Sequence, residues 1–106
     1  MIDSESLALR GFAVIPGLIG PDECRSLAAL WSDVGVFRKK TVMQRHGYGR
    51  GEYQYFGYPL PEPLAELRDT LYPPLARIAN RWQAALGLDV RFPSDHADFL
   101  ATCHAA

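Results

Sequence analysis

The string His96-Ala97-Asp98 carries two of the three ligands of a 2-His-1-carboxylate iron site, in which open coordination positions take substrate and oxygen. Such a pair chelates from a strand end or a loop. On a helix, positions two apart are separated by roughly 200° about the axis, so the two side chains diverge. His104 follows on the same segment, and no histidine from a distant strand completes a set. His96 is therefore read as a packed or hydrogen-bonded histidine, and Asp98 as a first-turn charge that complements the helix dipole. Binding of Fe(II) or Zn(II) by the existing histidines is the competing expectation.

A second constellation is electrostatic. Arg38, Lys39, Lys40, Arg45 and Arg50 place +5 within thirteen residues that hold no acid, leaving −6 for the remainder of a chain whose net charge is −1. Tyr48, Tyr53, Tyr55, Phe56 and Tyr58 lie within or directly after this run. Basic and aromatic side chains together can hold an anion, or stack unpaired bases while pairing with phosphates. A solvated strand face over an aromatic core is the alternative. The acidic total argues against a dedicated nucleic-acid binder, for which a basic domain is expected.

Other strings carry less. The alternating glycines of His46-Gly47-Tyr48-Gly49-Arg50-Gly51 are followed by a strand pattern and lack a Lys-Ser/Thr pair, which excludes a phosphate-binding loop. Cys103 and His104 are neighbours that a helix directs apart, so nucleophilic catalysis has no support. Glu62, Glu66 and Asp69 fall on the polar side of a helix. Two cysteines, Cys24 and Cys103, are too few for a disulfide scaffold.

The elements that position these residues follow from periodicity. Ser4 caps a short helix through Leu9, Gly11 stops it, and Phe12 to Ile15 has strand character before Pro16-Gly17. Pro21 opens a second helix to about Asp33, with Cys24, Leu27, Ala28 and Trp31 on its buried stripe. Strands are expected over Phe37 to Gln44 and Glu52 to Phe56, around the glycine-rich loop. Leu64, Leu67, Leu71, Leu75, Ile78, Trp82 and Leu86 keep one helical phase, in a helix either kinked or split at Tyr72-Pro73-Pro74 and ended by Gly87. After an extended link, Ser94 caps a last helix whose apolar stripe is His96, Phe99, Leu100 and Cys103.

The whole is a single region, 1–106, of α+β class. At 106 residues, 48% hydrophobic and 22% charged, it is a globular composition with room for one small domain. No apolar run of about 20 residues reaches across a bilayer and the N-terminus is acidic, so a cytoplasmic protein without membrane partners is expected. The last helix lacks a stop signal and three short strands are few for four helical segments. Both features predict that further sequence continues the domain.

Gly11-Phe12-Ala13-Val14-Ile15-Pro16-Gly17-Leu18-Ile19-Gly20-Pro21-Asp22-Glu23-Cys24 resembles the start of Fe(II)/2-oxoglutarate-dependent oxygenases, particularly phytanoyl-CoA dioxygenase-like and prolyl-hydroxylase-like bacterial members. Arg45 to Phe56, with Tyr58-Pro59-Leu60-Pro61, the long helix and Phe92-Pro93, is similar to an uncharacterised bacterial branch of the same superfamily. The resemblance implies the helical support part of a double-stranded β-helix, or jelly roll, whose barrel core is largely missing here. It implies Fe(II) and 2-oxoglutarate as cofactors of the full-length protein, none bound by this chain, with H-x-D, distal histidine and 2-oxoglutarate-pairing base all beyond Ala106. The implied reaction is oxidative decarboxylation of 2-oxoglutarate coupled to hydroxylation of a substrate C–H bond. By that analogy no catalytic or metal residue is assigned within the chain, and Arg45, Arg50, Tyr53 and Tyr55 are the candidate contacts to a small-molecule or peptidyl substrate. The remainder of the jelly roll would be the chain's structural partner. The alternative is a small non-enzymatic binding module that uses Arg38 to Tyr58 for an anionic or nucleic-acid partner.

Overall fold

The structure is a computed structural model and describes residues 2–106. Its elements run α1 (Ser4–Arg10), α2 (Pro21–Ala29), β1 (Phe37–Val42), β2 (Glu52–Phe56), α3 (Glu62–Ala85) and α4 (His96–Ala105), with three short 3-10 turns between α2 and β2. The chain divides into two units. One contains residues up to Leu18 together with Ala65–Ala106, and the other is Ile19–Leu64.

In the first unit α1 begins where the Asp3 carboxylate accepts the Ser6 amide at 3.0 Å and the Ser6 hydroxyl at 2.6 Å. The N-cap is thus Asp3 rather than Ser4. Gly11 ends α1 at φ 80°, with its amide donating to the Leu7 carbonyl. Phe12 to Ile15 belongs to no ladder among the described residues, which corrects the strand expected there. β-branched character alone leaves the backbone polar groups without a partner strand.

α3 runs unbroken through Pro73 and Pro74. Each proline removes one backbone donor from the helix, yet the surrounding contacts keep it whole. Ala76 and Ile78, the buried apolar residues, lie directly after the prolines. Tyr72 donates its hydroxyl to the Pro93 carbonyl at 2.8 Å. Asn80 grips the backbone of Phe92 from both sides: its Nδ2 donates to the Phe92 carbonyl at 2.9 Å and its Oδ1 accepts the Phe92 amide at 2.7 Å. The link after Gly87 is thereby held against α3, and Phe92 and Tyr72 meet Phe99 of α4 with ring centroids 6.0 and 5.6 Å apart. α4 starts at His96 after Asp95, without a side-chain cap bond, so Ser94 is not its cap.

In the second unit α2 ends at Ala29, four residues before the expected Asp33. The chain there tightens into 3-10 turns, and the Asp33 carboxylate accepts the Gly35 amide at 3.2 Å, an alternative to helical bonding that short polar side chains favour. Cys24 is exposed, as is Cys103, which corrects the placement of both on buried stripes. Trp31, expected on the α2 stripe, instead lies in the 3-10 turn after α2 and remains 48% exposed.

Among the described residues two strands rather than three form the sheet. β1 and β2 pair antiparallel with Thr41 opposite Tyr53 and Lys39 opposite Tyr55, and the register shifts between Phe37 and Lys39. β1 stops at Val42 because Met43–His46 curls into a 3-10 turn instead of extending to Gln44. The Met43 amide donates to the Gly51 carbonyl at 2.9 Å and closes the hairpin. Gly47, Gly49 and Gly51 hold φ of 72°, 94° and 119°, values that a side chain strains against, so this connection requires its glycines.

Candidate functional site: the basic aromatic face of the hairpin

Cross-strand partners share a face. On one face of the hairpin stand Lys40, Gln54, Val42 and Glu52 together with the Phe37–Phe56 pair, brought to the same side by the bulge. The Phe37–Phe56 end of that face is covered, while Lys40 and Glu52 remain exposed. The Phe37 and Phe56 rings stack with centroids 4.9 Å apart, Trp31 meets Phe37 edge-on at 6.3 Å, and Gln54 donates to the Trp31 carbonyl at 3.0 Å. Lys40 is paired with Glu52 at 3.1 Å.

Lys39, Thr41, Tyr53 and Tyr55 occupy the opposite face. Thr41 is buried and forms the floor, while Tyr53 and Tyr55 are 42% and 44% exposed. Their rings meet edge to face at 5.5 Å. Arg38, extruded by the bulge, places its guanidinium over the Tyr55 ring at 5.2 Å from the centroid and donates Nε to the Phe56 carbonyl at 3.3 Å. The connection folds back over the far end, where His46 and Tyr48 stack at 6.5 Å. Between these groups lies an open concavity of about 290 Å³, lined by Lys39, Thr41, Met43, His46, Tyr48 and Tyr53. Aromatic walls, a thioether and a lysine at one rim suit a flat, electron-rich ring that carries or adjoins negative charge.

Of the residues singled out from the sequence, Tyr53 lines this concavity and Tyr55 stands beside it on the same face. Arg45 lies in the 3-10 turn and Arg50 in the glycine-rich connection; both are exposed and neither lines the concavity. Sequence reasoning did not single out Lys39, Thr41, Met43, His46 and Tyr48 as lining residues. The signal was present in part for two of them: alternation groups Lys39 with Thr41 and Tyr53 with Tyr55, and the register joins the two pairs.

The histidines and carboxylates of the first unit do not fit an iron centre. His96 presses edge-on against Tyr72, with centroids 5.4 Å apart, while Asp98 and His104 are exposed on the same helix. Among the described residues, no group of three His, Cys, Asp or Glu side chains is placed to hold a metal ion. Burial pushes the Tyr72 phenol above its ordinary range, with smaller contributions from Cys103, Asp95 and Asp98 in the same direction. No described helix is long and apolar enough to cross a membrane.

Comparison with known proteins adds the family. Two uncharacterized proteins of Mycobacterium tuberculosis, from strain CDC 1551 / Oshkosh and strain ATCC 25618 / H37Rv, are each 37% identical to this chain over 76 residues, 67% of the chain and 33% of the relative. The chain thus spans about a third of the length of the curated relatives it matches. No solved structure matches it. The model of the family Oxygenase-NA, described as "Oxygenase, catalysing oxidative methylation of damaged DNA", matches residues 51–106, which include β2, α3 and α4. By that match over more than half of its length, the chain belongs to the Oxygenase-NA family.

Proposed function

We propose that this chain is the N-terminal part of an Fe(II)/2-oxoglutarate-dependent dioxygenase that oxidises damaged DNA, and that the open hairpin face is its contact to an unpaired base. The metal ligands and the 2-oxoglutarate-binding base are supplied by sequence outside these 106 residues, in a jelly roll that the helices of the first unit brace. The observation that carries the substrate reading is Arg38 over Tyr55 beside the exposed Tyr53 ring, a cation and two aromatic groups on one face of a family member whose description names DNA. Enzymes that modify a base must take it out of the stack, and stacking surfaces beside positive charge receive such bases. The divergence of His96 and Asp98 on α4 supports placing the iron ligands elsewhere, as does the length of the relatives.

The test compares the 106-residue chain with the longer Mycobacterium tuberculosis relative, measuring succinate formed from 2-oxoglutarate with Fe(II), with and without alkylated single-stranded DNA. The expected result is DNA-stimulated succinate from the longer protein and none from the chain alone. Succinate from the chain alone would place the metal site within it. A longer protein that forms no succinate under any of these conditions would remove the dioxygenase reading.

A further inference from the structure

A second candidate site lies in the first unit, on the side of α3 that faces the start of α1. A cavity of about 430 Å³ opens there, floored by Pro74 and the buried Ile78 and rimmed by Ser4, Thr70, Arg77 and Arg81. Arg77 and Arg81 are one helical turn apart on the same face of α3. Like charges at this spacing repel, and α3 offers them no relief: from Thr70 to Ala85 it contains no acidic residue. Among the described residues neither arginine makes an ion pair or a hydrogen bond. The nearest carboxylate in sequence on α1's side, Asp3, is already engaged by Ser6.

From this arrangement we infer that the cleft binds a phosphate group through Arg77 and Arg81. Two guanidinium forks can each present paired N–H donors to tetrahedral oxygens, and the Ser4 and Thr70 hydroxyls add donors at the rim. A bound phosphate anion offsets the repulsion between the two arginines. The apolar floor keeps bulk water from one side of the anion, which strengthens each charged hydrogen bond relative to an open surface. The phosphate can belong to a free small molecule or to a DNA backbone; the recognition chemistry is the same. This inference does not rest on the hairpin reading, since its residues all belong to the other unit.

The experiment follows the arginine Nε–Hε resonances of the 15N-labelled chain at low ionic strength, with pyrophosphate in one arm and a single-stranded oligonucleotide without terminal phosphates in the other. Shifts at Arg77 and Arg81 are expected with pyrophosphate for a small-molecule source, and larger ones with the oligonucleotide for a backbone source. The double variant Arg77→Gln/Arg81→Gln should weaken binding about tenfold or more, as expected for loss of charged hydrogen bonds. Arg77→Lys, which keeps the charge but loses the fork, should fall between. Far-UV circular dichroism verifies that α3 persists in each variant. The inference is overturned by unmoved arginine resonances at millimolar pyrophosphate and oligonucleotide, or by a folded double variant that binds as the parent does.

Discussion

The guanidinium of Arg38 covers one side of the Tyr55 ring, 5.2 Å from its centroid, and it reaches that place because the bulge between Phe37 and Lys39 pushes Arg38 out of the strand register. A residue that regular alternation would send to the Phe37–Phe56 side instead joins Lys39 on the open face. Stacking on an aromatic side chain contributes about 1–3 kcal/mol per base to single-stranded binding. Tyr53→Ala should therefore weaken binding of a short alkylated single-stranded oligonucleotide by roughly five- to a hundredfold, read by fluorescence anisotropy. Arg38→Ala should weaken it and flatten its dependence on salt, because one phosphate contact is lost. Equal affinity in parent and Tyr53→Ala would separate the aromatic face from nucleic-acid binding.

Asn80 and Phe92 are joined by two hydrogen bonds across twelve residues, and both groups are partly buried. Asn80→Leu leaves the Phe92 amide and carbonyl without those partners. The expected loss is about 1–3 kcal/mol in urea unfolding monitored by tryptophan fluorescence. An unchanged midpoint would show that the link after Gly87 is held by its ring contacts alone.

Tyr72 supplies a pH dependence whose sign follows from its environment. Burial raises its folded-state pKa above that of the unfolded chain, so the phenol contributes stability that is fully present below the ordinary tyrosine range and is lost as pH rises through the folded-state value. Stability should therefore decline at alkaline pH beyond the ordinary tyrosine range. Tyr72→Phe removes that alkaline loss, and at neutral pH it costs about 1 kcal/mol through the missing hydrogen bond to Pro93. Identical alkaline limbs in the two proteins would contradict this assignment.

Asp3 acts in the opposite sense. The hydrogen bonds from the Ser6 hydroxyl and amide, in that order, lower its pKa, so the cap is present above the ordinary carboxylate range and is lost as pH falls through the folded value. Protection of the Ser6 amide, taken relative to the intrinsic exchange rate at each pH, should fall at acid pH, and in Asp3→Ala it should be low and independent of this titration. Slow exchange at Ser6 in Asp3→Ala would show that the cap is not what protects it.

What the sequence made legible follows from which signals are local. The spacing from Leu64 to Leu86 announced α3, because helical phase accumulates over many residues and two prolines did not erase it. The hairpin was equally readable from its β-branched and aromatic run and its glycines. Phe12 to Ile15 misled, since strand character is a property of residues whereas a strand needs a partner. Cys24 misled for a related reason: a stripe marks a face, but only packing decides whether the face is covered. The lining of the concavity was half legible. Alternation groups Lys39 with Thr41 and Tyr53 with Tyr55, but the register that joins the two pairs, and the 3-10 turn and left-handed glycines that bring in His46 and Tyr48, are not encoded in periodicity. Arg45 and Arg50 came from the family analogy; Arg45 lies in the 3-10 turn and Arg50 in the glycine-rich connection, and neither lines the concavity.

In the proposed function the open hairpin face receives an unpaired base. The most direct measurement is a chemical-shift map of the 15N-labelled chain titrated with an alkylated single-stranded oligonucleotide, compared with the same sequence as a duplex. The single strand should shift the amides of Lys39, Thr41, Tyr48 and Tyr53 well before the duplex does. Shifts confined to other surfaces, or no preference for the single strand at these four residues, would contradict it.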